Sequence, residues 1–271
     1  MKALVTTEGR SATVQDIEIP KPGEGEILVK VHYCAQNPTD WKAVTIVPPG
    51  RIIGCDFAGT VVDSNGSSWR EGHHVAGFVH GTADHPTRGV FAEYAVIEKS
   101  LVYRIPDDIT FQQAAAIPVA FATAVQAMFQ RLKMPEPPQV AKGRRPFLAN
   151  GGASSVGQYA IQLGKLAGLR TTSFSSHWEI ENEKIRLEST IVATVFERLV
   201  KYGVFDNCGN PTPEDRAMWE NYLVLLPELL SSGKIKSNRI HEMGGINDIM
   251  SGFELHQEGK VSAEKLVYKI A

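Results

Sequence analysis

Charge of either sign is scarce in excess here: 28 Lys plus Arg face 30 Asp plus Glu over 271 residues, for a formal net charge of −2. No basic field is present to gather nucleic-acid phosphates. Cysteine is sparse too. Cys34, Cys55 and Cys208 are odd in number, far apart and form no CxxC pair, which argues against a disulfide framework or a structural zinc knot and leaves buried thiols in a reducing compartment. Long apolar runs are missing. The longest uncharged stretch, Ile109 to Gln130, is interrupted by Gln112, Gln113, Pro118, Thr123 and Gln126, so it reads as buried helix and not as a membrane span. The first residues, Met1 to Thr6 before Glu8 and Gly9, read as a strand and not as a signal peptide. Together these absences predict a soluble cytoplasmic protein that binds neither nucleic acid nor membrane. No internal repeat, Ser-His-Asp set or carboxylate pair stands out. The composition, 43% hydrophobic and 21% charged, is that of a globular chain long enough for one large domain or two smaller ones.

What is present falls into two textures. Up to about residue 105 the chain alternates short strands and turns. Ile27, Val29, Val31 and Tyr33 share one face of a period-2 strand after the turn Pro20-Lys21-Pro22-Gly23, and further strands are expected around 59–62, 74–79, 91–96 and 101–104. That spacing predicts a compact β-barrel. After Pro106 helix takes over: Thr110 is a natural cap, and 111–132 is rich in Ala, Gln, Met and Phe with Pro118 expected to kink it. A proline-rich loop, 134–146, leads to the strand Phe147 to Asn150, a glycine turn from Gly151 to Gly157, and an amphipathic helix on Val156, Tyr159, Ala160, Leu163, Leu166 and Ala167. Leu169 to Phe174 closes a βαβ unit. Farther on, Ile191 to Phe196 reads as an apolar strand. Thr212-Pro213-Glu214-Asp215 opens a helix whose stripe is Trp219, Tyr222, Leu223, Leu226 and Leu230, with Pro227 expected to bend or shorten it. A short helix from Ile246 to Phe253 and a strand from Lys265 to Ile270 complete the chain.

The glycine turn is the segment with the clearest chemistry. Glycines after a buried strand let the backbone approach a pyrophosphate, and the following helix offers free N–H groups and a positive dipole end. Gly151, Gly152, Ala153, Ser154, Ser155, Val156 and Gly157 depart from G-x-G-x-x-G, and the two serine hydroxyls are apt phosphate donors. The same run also suits a ligand-free strand-to-helix turn. About 20 residues on, where a ribose partner belongs, stand Ser175, Ser176 and His177 with Arg170 upstream and no acidic residue. That favours a 2′-phosphate, hence NADPH over NADH.

Five segments in order carry a family resemblance: Asn37-Pro-Thr-Asp-Trp-Lys42, Gly54-Cys-Asp-Phe-Ala-Gly-Thr-Val-Val62, Gly72-His-His-Val-Ala-Gly77, Gly89-Val-Phe-Ala-Glu-Tyr94 and Gly151 to Gly157. Together they resemble the zinc-independent medium-chain dehydrogenase/reductase superfamily, most of all quinone oxidoreductases and the trans-acting enoyl reductases of fungal polyketide synthases. Gly259 to Val267 is similar to that family's closing strand. The resemblance implies an α/β plus β fold: a GroES-like barrel from residues 1–110 and 239–271 around a shortened Rossmann-type domain, 111–238. It further implies hydride transfer from NADPH to the β-carbon of an α,β-unsaturated carbonyl, with a carrier-bound acyl or small-molecule substrate and a polyketide synthase as partner. Lys42 then reaches the cleft as a polar contact or stays a barrel-surface lysine, and Thr123 aims its hydroxyl at nicotinamide or thioester or merely packs its helix. Asp56 is expected to brace the barrel turn. The family's zinc enzymes carry Cys and Gly-His-Glu where this chain has Asn37 to Asp40 and Gly54-Cys55-Asp56, so no catalytic zinc is expected; Cys55, His73 and His74 are the alternative metal cluster.

The chain departs from this family in length. A full dinucleotide domain needs on the order of 150 residues and six strands, whereas Phe147 to Phe205 spans only about 60 residues. Roughly 80 residues of its middle, including those that clasp adenosine and nicotinamide, are absent by this comparison. Two expectations follow: a homodimer in which the Ile191 to Phe196 strand repairs the sheet, and, as the alternative function, a cofactor-independent isomerase or cyclase, or a non-catalytic partner protein.

Overall fold

The computed structural model describes residues 1–81, 85–143, 145–174, 190–197, 200–202 and 205–271; Ser175, Ser176 and His177 lie outside the described residues. The barrel begins with the hairpin β1 (Lys2–Thr7) and β2 (Ser11–Asp16). Next come β3 (Glu26–Ala35), α1 (Pro38–Ile46), β4 (Asp56–Asp63), β5 (His74–Phe78), β6 (Tyr94–Glu98) and β7 (Val102–Arg104). β3 is the hub, because its alternating pattern buries Ile27, Val29 and Val31 completely and it pairs with β4, β6 and the last strand of the chain. The helical stretch after Thr110 divides at Pro118, which removes an N–H and clashes with the preceding turn: α2 (Phe111–Ala115) stops short of it, α3 (Pro118–Val125) starts on it, and a π-helical turn follows over Gln126–Arg131.

The next elements form the βαβ unit expected from the sequence. β8 (Pro146–Asn150) runs parallel to β9 (Arg170–Phe174), joined by α4 (Ser155–Leu166), in register from Pro146 opposite Arg170 to Asn150 opposite Phe174. Among the described residues this sheet has two strands. β10 (Val200–Tyr202) and β11 (Phe205–Gly209) form a separate antiparallel pair. α5 (Pro213–Ser231) then buries Trp219, Tyr222, Leu223, Leu226 and Leu230, and runs on through Pro227 without shortening there. β12 (Arg239–Gly245), α6 (Ile249–Gln257) and β13 (Glu264–Lys269) end the chain, and the seven-stranded sheet has the order β12-β13-β3-β4-β5-β7 with β6 on β3.

The expected strand at Ile191 to Phe196 is not one. Val192–Phe196 is a 3₁₀ turn that ends at Glu197 with φ 53°. Its run of β-branched residues is held by packing instead: Val195 and Phe196 are buried, and the Phe196 ring meets Phe78 edge to face at 5.3 Å. Thr190 and Thr194 also hydrogen-bond Gln126 of the π turn. A buried turn offers no ladder to a second copy, so the strand that motivated a homodimer is gone. The shared core joins α2, α3, α4, α5 and this turn to Ala58 and Phe78 of the barrel, while a second cluster around Phe57 and Phe91 fills the barrel itself.

Candidate active site

The glycine turn holds its shape through two demands that other residues fail. Gly151 has φ +72°, and a Cβ on Gly157 would lie 2.4 Å from the Gly151 carbonyl oxygen. Ser154 caps α4, its Oγ accepting the Gly157 N–H at 3.1 Å. The Ser155 and Val156 amides, in the first turn, precede any intrahelical acceptor. Strand, close turn and helix N-terminus therefore present anion-seeking N–H groups.

These residues open on a cavity of about 500 Å³. Ala153, Ser154, Ser155 and Val156 form one part of its wall, with Val119, Ala120 and Thr123 of α3 beside them. Opposite stand Gln36, Asn37, Pro38 and Thr39 after β3, His256 of α6, and the segment from Val261 to Leu266 leading into β13. The expected site residues divide accordingly. Thr123 lines the cavity, and because its hydroxyl donates to the Val119 carbonyl at 2.7 Å it presents lone pairs to a ligand. Lys42 does not line it: exposed on α1, its ammonium lies 5.6 Å over the Trp41 ring. Gly151, Gly152 and Gly157 shape the turn from behind the lining residues.

Beneath the cavity lies a buried polar brace of which sequence reading caught only Asp56. Lys265, 3% exposed, donates to Asn37 Oδ1 at 2.5 Å and to Asp56 Oδ2 at 3.0 Å. Asn37 Nδ2 donates to the same Asp56 oxygen at 2.8 Å, and Asp56 Oδ1 accepts the Val119 N–H at 2.8 Å. One carboxylate thus ties β4, the loop before α1, β13 and the start of α3. The missed signal was the run Lys265 to Tyr268, a strand buried on both faces; an ammonium there is tolerable only beside a carboxylate.

Asp40 is a second buried carboxyl on this side of the barrel. Desolvation pushes its pKa up to about 7, opposed by the Asn37 N–H that donates to it at 2.6 Å and reinforced by the Asp56 charge. Burial likewise raises the Cys34 and Cys55 thiols well above their usual value. An acid whose pKa rises on folding gives stability that is complete below about pH 4 and drains away as pH climbs through about 7. Asp40→Asn should therefore flatten the melting temperature between pH 4 and 8 and raise it at pH 8, read by scanning calorimetry at several pH values. An unchanged pH slope would refute it. Among the described residues no group of three or more His, Cys, Asp or Glu could hold a metal, and Cys55 faces Asp40 while His73 bonds Arg104 at 3.1 Å. No helix among them is long and apolar enough to cross a membrane.

A GroES-like barrel closed by its own C-terminal strand faces a βαβ unit with a glycine turn across a cleft, a fold similar to that of alcohol dehydrogenase superfamily proteins and quinone oxidoreductases of known structure. Residues 23–107 match the alcohol dehydrogenase GroES-like domain. The sequence is similar to trans-enoyl reductase TOXD of Cochliobolus carbonum, 38% identical over an alignment of 188 residues, with 66% of this chain and 63% of that protein covered. It is also similar to trans-enoyl reductase grgB of Penicillium sp, 40% identical over 62% of this chain and 49% of that one. The chain thus spans between about half and under two thirds of the length of these curated relatives. Among solved structures, the quinone oxidoreductase of Coxiella burnetii superposes with a TM-score of 0.71 at 21% identity, covering 100% of this chain and 99% of that one. An alcohol dehydrogenase superfamily protein from Novosphingobium aromaticivorans gives 0.73 at 19%, covering 100% of both.

Proposed function

We propose that the protein is a zinc-independent oxidoreductase that uses NADPH to reduce an α,β-unsaturated carbonyl, carried on a polyketide thioester or in a small enone or quinone. In this reading it acts in the cytoplasm, in secondary metabolism, beside a polyketide synthase. The supporting observation is that the glycine turn and Thr123 share one cavity with the barrel wall. The cofactor, when bound, supplies the hydride. For its part the chain offers the Ser155 and Val156 N–H groups and the Ser154 and Ser155 side chains to a pyrophosphate, and Thr123 as acceptor for an amide N–H. Arg170, exposed at the start of β9, is the basic residue near a 2′-phosphate in sequence. Val119, Ala120, Val261 and Leu266 are apolar wall that excludes water from the reacting carbons. The buried brace holds both walls at fixed separation, which matters because reacting atoms must sit about 3–3.5 Å apart.

One observation favours the second reading, a cofactor-independent isomerase or cyclase or a non-catalytic partner: the described dinucleotide unit is a single βαβ with two strands. Calorimetric titration with NADPH, followed by assay of NADPH oxidation against a small enone, separates them. Saturable binding and enone-dependent oxidation are expected. No binding at millimolar NADPH removes the reductase, and enone turnover without NADPH replaces it with the isomerase.

A further inference from the structure

The barrel wall of the cavity carries two polar atoms that hydride chemistry leaves unused. Gln36 is 1% exposed, and the Tyr268 hydroxyl donates to its Oε1 at 2.6 Å. Its Nε2 is buried with no partner among the described residues, and so is Nε2 of His256 on α6. Both residues line the cavity. Gly252 brings them together, since a Cβ there would lie 2.6 Å from Gln36 Oε1 and 1.7 Å from the Tyr268 hydroxyl, and His256 stands one turn farther along the same helix face. Buried polar atoms are almost always paired, so two orphans at one cavity wall ask for a ligand atom.

The charges nearby say which kind. Of the described lining residues Lys265 is the one permanent cation, and Asp56 already neutralises it at 3.0 Å. Glu264 adds a negative charge, shared with His241 at 3.0 Å. Burial and the neighbouring Lys265 lower the His256 pKa, which keeps its imidazole neutral at pH 7. A free carboxylate entering at this wall, away from the α4 N-terminus, would meet neutral donors beside the Glu264 charge, whereas a carbonyl oxygen needs only donors.

We propose that Gln36 and His256 form a subsite for the carbonyl oxygen of an uncharged acyl derivative, an ester, thioester or amide, and select it over the free acid. This deepens the reductase reading and rests on it for the direction in which the acyl chain lies. The test measures dissociation constants by calorimetry for the crotonyl thioester of N-acetylcysteamine, for crotonate and, separately, for NADPH. Wild type should bind the thioester at least tenfold tighter than crotonate. His256→Phe and Gln36→Leu should each weaken thioester binding about five- to tenfold, the size of one lost hydrogen bond, while leaving NADPH and crotonate affinity unchanged. His256→Gln, which returns an N–H, should restore most of the loss. The ligand-free melting temperature of His256→Phe should match wild type, because Nε2 has no partner among the described residues to lose; a structural histidine would lower it. Gln36→Leu also costs Tyr268 its acceptor, so if that variant misfolds, His256→Phe and His256→Gln carry the test. Unaltered thioester affinity in folded His256→Phe, or crotonate binding as tightly as the thioester, overturns the subsite. If NADPH fails to bind while the thioester preference and its loss in the variants persist, the reductase reading falls and the subsite stands.

Discussion

Replacing Lys265 by methionine should lower the melting temperature by roughly 6–15 °C. The ammonium donates to Asn37 Oδ1 and Asp56 Oδ2, groups 228 and 209 residues away in sequence. Asp56 is fully buried, so removing its cation strands a carboxylate out of water, at a cost of about 3–5 kcal/mol. Methionine fills the volume of the lysine stem, so the loss is electrostatic and not a cavity effect. The companion variant separates these: Asp56→Asn with Lys265→Met removes both charges, the new carboxamide oxygen accepts the Val119 N–H, and its NH2 donates to Asn37 Oδ1 once the Asn37 amide turns over, so most of the loss should be recovered. Thermal denaturation followed by circular dichroism of the four proteins in the cycle gives the coupling. A drop below about 3 °C in Lys265→Met would mean that the pair is solvated and the brace weak.

That brace also marks the boundary of what sequence reading reaches. Elements with strong local signals were legible. Thr110 and Thr212 cap their helices as expected, accepting the Gln113 and Asp215 N–H groups, the Trp219 to Leu230 stripe is buried, and Gly151 to Gly157 turns strand into helix. Elements without such signals were not, and two of them show why. Val192–Phe196 is β-branched and apolar, which is equally the composition of a short buried turn, and contact with Phe78 and Gln126 decided between them. β12 was missed because its exposed residues and its paired Gly244 and Gly245 mimic a loop; it exists because β13 offers it a parallel edge. The site followed the same division. Glycines and Thr123 carry their meaning within a few residues, but Lys265 and Gln36 acquire theirs only when β13 closes on β3. Lys42 sits in a family motif, yet α1 turns it to solvent over Trp41. Helix rotation, which no motif spells, set that outcome.

The glycine turn is where structure and activity can be forced apart. Gly157→Ala should raise the NADPH dissociation constant at least tenfold while the protein still folds. The added Cβ would lie 2.4 Å from the Gly151 oxygen and 2.9 Å from Gly152 Cα, both backbone atoms that no rotamer change can move. α4 must back away from the turn, and with it go the first-turn N–H groups and the Ser154 cap at 3.1 Å. Anion binding at a helix N-terminus depends on that close approach. The strain of overpacking here costs about 1–3 kcal/mol, enough to lower the melting temperature by a few degrees but not to unfold the domain. Ser154→Ala supplies the comparison, since it deletes the cap, worth about 1 kcal/mol, and one hydroxyl offered to the pyrophosphate, without pushing helix and turn apart; it should destabilise the protein similarly and weaken NADPH by less than Gly157→Ala does. Two folded variants of similar stability and different NADPH affinity tie the dinucleotide to the turn. Equal affinity in Gly157→Ala and wild type makes Gly151 to Gly157 a ligand-free connection and moves any cofactor to another wall of the cavity.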